Sequence, residues 1–109
     1  MLPNGENAVV EIVKLTDYCL NPEHPRGRNK ARVFAASIGF RAEHANQLRH
    51  ALLQAARTLP ATPDEVDDFG QRFVIDFWLE GPAGQAQIRS SWIIRSSEDF
   101  PRLTSCYVL

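Results

Sequence analysis

Around Pro60 and Pro63 the apolar residues of this chain change period. Before the prolines they recur at helical spacing: Ala31, Phe34, Ala35 and Ile38, then Ala45, Leu48, Ala51, Leu52, Ala55 and Leu59. After them they alternate, with Phe73, Ile75, Phe77 and Leu79 set against Val74, Asp76 and Trp78. A period near 3.6 lines one stripe of a helix, and a period of two lines one face of a strand. Neither pattern can serve as the other. Helices first and strands second predict an α+β fold, with N-terminal helices packed on one face of a C-terminal antiparallel sheet of three to four strands.

The details follow from the same spacing. One helix is predicted from Arg28 to Ser37, with Gly39 suited to its C-terminal turn. Another runs from about Ala42 to Arg57, rich in good helix formers and closed by the two prolines. "QRFVIDFWLE" and "QAQIRSSWIIR" flank a Gly81–Gly84 turn and form a hairpin. Pairing Glu80 with Gln85 sets Phe77 opposite Ile88, Phe73 opposite Trp92 and Asp76 opposite Arg89. "RLTSCYVL" reads as a last strand, with Thr104, Cys106 and Val108 on one face and Ser105 and Tyr107 on the other. Two segments stay open. Val9 to Leu20 fits a short helix by its stripe and a strand by its β-branched "AVVEIV", and "DEVDDFG" fits a short strand or a loop.

A chain of 109 residues fits one domain, residues 1–109, with a single modest core. No apolar run approaches the roughly 20 residues of a membrane-spanning helix. The N-terminus lacks the basic and apolar regions of a secretory signal, so the expected location is cytoplasmic. Cys19 and Cys106 have no metal-ligand spacing and are expected as buried free thiols. Neither His44 nor His50 has a ligand at zinc spacing, and "DEVDD" lacks the calcium-loop spacing, so no metal is expected. No phosphate-binding glycine loop or dinucleotide fingerprint is present, so no cofactor is expected either.

Net charge is −1, but it is unevenly spread. Pro25 to Arg57 holds seven Lys and Arg against one acid, and Asp64 to Asp68 holds four acids and no base. The basic block opens in "NPEHPRGRNKARVF", Asn21 to Phe34. Basic residues at a helix start oppose the helix dipole, so helix stability does not explain them. They need a partner: either an anion, or Glu23 and the acids from Asp64 to Asp68. Gly27 before a helix N-terminus suits close approach of a ligand, and Arg28 and Arg32, one turn apart, suit a phosphate. His24 is the best general acid/base candidate, because its charge changes near neutral pH. On the sheet, Arg72, Asp76, Trp78, Arg89, Ser91 and Arg95 share the face away from the helices, where Trp78 could stack a base.

"KLTDYCLNPEHPRGRNKARVF", "SIGF", "FGQRFVIDF", "SSWII" and "FPRLTSCYVL" together resemble a family of small bacterial domains of unknown function. The resemblance covers nearly the whole chain, and "LNPEHPRGxxKARVF" is its most specific block. That block is also similar to segments of secreted polymorphic toxins and phage head-associated proteins. It implies a fold like the barnase–EndoU–colicin–RelE ribonucleases. In that group the helical part supplies a basic or histidine residue and the sheet supplies polar ones. Carried onto this sequence, His24, Arg28 and Lys30 match the helical block, and Ser91, Arg102 and Thr104 would be the sheet partners.

The expected function is therefore a metal-independent RNA-cleaving toxin with a cognate antitoxin or immunity protein and no membrane partner. His24, Arg28, Lys30, Ser91 and Thr104 are its candidate catalytic residues. Arg26, Arg32, Arg89, Trp78 and Arg102 are its candidate substrate-binding residues. The alternative is a non-catalytic module that binds protein or RNA, with Trp78 and Trp92 as contact surface.

Overall fold

A computed structural model describes all residues, 1–109. Two α-helices, α1 (Arg28–Ile38) and α2 (Ala45–Thr58), precede four strands: β1 (Thr62–Asp67), β2 (Gly70–Gly81), β3 (Gly84–Arg95) and β4 (Pro101–Val108). The strands form one antiparallel sheet in the order β1-β2-β3-β4. This is the expected α+β arrangement. No helix is long and apolar enough to cross a membrane.

α1 buries Ala31, Phe34 and Ile38, and Gly39 turns the chain out of it at φ 76°. α2 starts in a short 3-10 turn, Ala42–His44. There His44 Nδ1 accepts the Arg41 N–H at 3.0 Å while its ring stacks on Phe40, so His44 is a packing and capping residue. α2 buries Leu48, Leu52, Ala55 and Ala56 toward the sheet. The β2–β3 hairpin has the expected register, with Phe73 opposite Trp92, Asp76 opposite Arg89 and Phe77 opposite Ile88. Ile75, Ile88, Ser90 and Trp92 face the helices and are fully buried or nearly so. The one buried polar side chain among them is satisfied: Ser90 Oγ donates to the Ile75 carbonyl at 2.8 Å and accepts the Trp92 Nε1–H at 2.9 Å.

The two open segments resolve by long-range pairing. "DEVDD" lies largely in β1, an exposed edge strand with an irregular register between Pro63 and Val66. The N-terminal segment is both extended and helical. The Val9 N–H donates to the Pro101 carbonyl at 2.9 Å and the Leu103 N–H to the Val9 carbonyl at 3.0 Å, which caps the free edge of β4. The chain then winds into a π-helical turn, Leu15–Cys19, that buries Leu15 and Cys19.

One expectation about β4 is corrected. Ser105 pairs with Ser91, but Leu103 pairs with Trp92, so Thr104 is an extra residue in a β-bulge. The bulge shifts alternation by one. Leu103 and Cys106 point into the core, and Thr104 leaves the face it was assigned to share with Cys106.

Candidate functional site

The loop from Asn21 to Gly27 is a chain of tight turns held by its own side chains. Asn21 Nδ2 donates to the Asp17 carbonyl, and Asn21 Oδ1 accepts the Glu23 N–H at 2.9 Å. His24 Nδ1 accepts the N–H groups of both Arg26 and Gly27, each at 3.0 Å, and its carbonyl accepts the Arg28 N–H at 2.9 Å. His24 therefore holds the turn that leads into α1, as an Asx side chain holds a loop, while α1 itself has no side-chain cap. Gly27 is needed because any side chain there would run into the Tyr18 carbonyl oxygen. Two sequence expectations change as a result. Gly27 approaches Tyr18 rather than a ligand, and the first N–H of α1, that of Arg28, is taken by the His24 carbonyl.

The same hydrogen bonds fix the tautomer of His24. With Nδ1 an acceptor, the neutral ring carries its proton on Nε2, which has no partner within the chain. The ring stands edge-on to Tyr18, with centroids 4.9 Å apart. Tyr18 Oη in turn accepts from Lys30 Nζ at 3.1 Å.

His24 lines a cleft of about 610 Å³ together with Val13, Lys14, Asp17, Tyr18, Arg26, Thr104 and Ser105. One wall is the π-helical turn and the loop after it, and the other is the bulge in β4. Of the candidate residues, the cleft thus gathers His24, Arg26 and Thr104. Thr104 reaches it because of the bulge, and its Oγ1 donates to the Ser91 carbonyl at 3.1 Å. Ser91 contributes that carbonyl and does not line the cleft. Ser105 Oγ is buried at the same wall without a hydrogen-bond partner.

The remaining candidates lie elsewhere. Lys30 sits in a neighbouring hollow with Asn29, Val33, Tyr107 and Val108, its ammonium 5.1 Å from the Tyr18 ring centroid and 6.0 Å from that of Tyr107. Arg28 and Arg32 are exposed on α1, outside the cleft. Arg89 is held by Asp76 through two hydrogen bonds of 2.9 and 2.8 Å. Arg102 is held by Glu98 and Glu11. Trp78, 67% exposed, borders a separate groove against α2.

The electrostatics divide the same way. Arg72, Arg89, Arg95 and Arg102 on the sheet side are all in ion pairs. Lys14, Arg26, Arg28 and Arg32 are in none, and the one β1 acid in an ion pair, Asp67, is joined to Arg72. The structural partner considered for the basic block is absent, so its positive charge remains available to an external anion. Lys14, Asp17, Tyr18 and Ser105 stand out by no spacing of their own. Their only signal in the sequence is that the first three fall within the "KLTDYC" run that opens the resemblance.

The ion pairs predict how stability responds to acid. Hydrogen bonds from Arg89 to Asp76 and from Arg102 to Glu98 hold both carboxyls below their ordinary values, and the Phe69 N–H does the same for Asp67. A carboxyl lowered in the folded state adds stability above the ordinary carboxylate range and loses it as pH falls through the folded value. The urea midpoint should fall as pH drops below about 4, and Asp76→Asn should make that fall shallower. An equal slope in the variant would remove Asp76 from the explanation.

Comparison with curated proteins gives no match. Among solved structures, the fold is similar to a chain of a contact-dependent growth inhibition toxin–immunity protein complex from Klebsiella pneumoniae 342. The TM-score is 0.60, the identity 17%, and the match covers 95% of each chain. At that identity the likeness concerns the fold alone. The match to the family described as Domain of unknown function (DUF6883) spans residues 1–109, and the chain belongs to that family.

Proposed function

We propose that this protein is a metal-independent endoribonuclease, the toxin of a toxin–immunity pair, and that the cleft between His24 and Thr104 is its active site. The observation that carries this reading is the meeting of a free His24 Nε2–H, unpaired cations Lys14 and Arg26, and one acceptor carboxylate, Asp17, in a single cleft. The similarity to a chain of a toxin–immunity complex supports the pairing with a cognate protein.

The reading gives each group a role. Nδ1 is occupied, so His24 is not the general base in this conformation. Its Nε2–H donates to a phosphoryl or leaving oxygen. Asp17 is the group placed to take the proton of the ribose 2′-hydroxyl. The 2′-oxygen then bonds to phosphorus, the bond to the 5′-oxygen breaks, and that oxygen takes a proton from water. Lys14 and Arg26 balance the charge gathering on the phosphate, with Arg28 and Arg32 along the approach on α1. Because the sheet-face arginines are committed to acids, that face is a poor track for a nucleic-acid backbone.

Pure protein incubated with RNA in EDTA should give fragments ending in 2′,3′-cyclic phosphate, and Asp17→Asn should slow their formation. Absence of cleavage, or cleavage abolished by EDTA, would sink the reading. The binding-only alternative loses Trp92, which is fully buried, and draws instead on the exposed Trp78 with Val66 and Phe69. It gains ground if a partner co-purifies in stoichiometric amount and RNA stays intact.

A further inference from the structure

Three hydroxyl side chains line the cleft: Tyr18, Thr104 and Ser105. Thr104 Oγ1 is committed as donor to the Ser91 carbonyl, and Ser105 Oγ is fully buried in the wall. Tyr18 differs from both. Its oxygen accepts from Lys30 Nζ at 3.1 Å. An ammonium can only donate, so this bond leaves the hydrogen of the Tyr18 hydroxyl uncommitted, and no group of the chain accepts it. Tyr18 also separates two hollows. It lines the cleft, while Lys30 reaches its oxygen from the neighbouring one.

Lys30 has no carboxylate to answer its charge. It is in no ion pair, and the ring of Tyr107 lies 6.0 Å from its ammonium. A cation bonded to the phenol oxygen draws electron density from the O–H bond and strengthens its hydrogen as a donor. The His24 ring stands against Tyr18 with centroids 4.9 Å apart, so its Nε2–H is a second donor at the same wall. Both rings are half-buried and held in place, His24 by its bonds to the Arg26 and Gly27 N–H groups and Tyr18 by Lys30. Donors fixed in advance suit an oxyanion.

We propose that Tyr18 contacts the substrate, its hydroxyl and the His24 Nε2–H together gripping one phosphodiester, and that Lys30 is a positioning residue that acts through Tyr18. This rests on the reading of the cleft as a phosphodiester site. It also accounts for Lys30, a candidate catalytic residue that lies outside the cleft: one hydrogen bond separates it from a residue that lines it.

The test measures binding of a short 2′-O-methyl RNA, which has no free 2′-hydroxyl and is not cleaved by this route. Tyr18→Phe keeps the ring against His24 and removes only the hydroxyl. It should weaken binding about 10-fold or more, the worth of a hydrogen bond to a charged group. Lys30→Met should weaken binding less, and Lys30→Arg should restore most of that loss. Adding Lys30→Met to Tyr18→Phe should change nothing further, because Lys30 acts through the missing hydroxyl. Equal affinity of wild type and Tyr18→Phe overturns the proposal, as does failure of the wild type to bind the probe. Full additivity of the two substitutions also overturns it, since Lys30 would then act on the ligand without Tyr18. The nuclease reading is judged separately, on unmodified RNA in EDTA. If the binding losses follow the expected pattern and that RNA stays intact, the nuclease reading falls and the donor pair stands.

Discussion

His24→Asn should lower the rate of RNA cleavage by about 10²–10³ while leaving the fold intact. The choice of asparagine matters. Its Oδ1 can take the place of Nδ1 as acceptor for the Arg26 and Gly27 N–H groups, because Asn readily bonds backbone a few residues ahead. What it cannot supply is the outward Nε2–H. His24→Ala removes both functions and should also destabilise the protein by about 1 kcal/mol, the usual net worth of a lost hydrogen bond. Measuring single-turnover cleavage and urea unfolding for both variants separates the two roles. If His24→Asn cleaves at the wild-type rate, His24 only holds its turn, and the active-site assignment fails with it.

Trp92→Ala should cost about 3–5 kcal/mol, the largest effect expected of any single substitution in this chain. Trp92 is fully buried at the centre of β3, where it faces Phe73 on β2 and Leu103 on β4. Truncation leaves a cavity under the helices and takes the indole donor from Ser90 Oγ. A domain of this size has a total stability of only about 5–15 kcal/mol, so the variant keeps a small margin. Urea unfolding at neutral pH reads the loss directly. A change below about 1 kcal/mol would show that the sheet does not depend on this side chain.

The sequence spoke clearly where structure is local and vaguely where it is not. Both helices and the β2–β3 hairpin were legible, down to the Asp76–Arg89 pair, because hydrophobic spacing and a tight turn determine them within a few residues. Val9 to Leu20 was ambiguous because its partner is the last strand, nearly a chain length away. The bulge at Thr104 left no mark on the apolar pattern, since Thr and Ser suit either face of a strand. Charge in the basic block was legible, but its neighbours were not. Composition could not reveal that Asp67 of β1 would turn to Arg72, or that His24 would face its own backbone. Asp17 was invisible as a site residue for a related reason. Only the π-helical turn brings it beside a loop that spacing treats as separate.

The bridge between Val9 and β4 also sets an order of events during synthesis. A growing chain can form α1, α2 and the β2–β3 hairpin as soon as each emerges, since their contacts are local. Neither wall of the cleft can find the other until residues 101–108 have left the ribosome, because β4 provides Thr104 and Ser105 and holds the N-terminal segment in place. The cleft is thus the last part of the molecule to exist. Until then the growing chain carries the separate walls and no cleft.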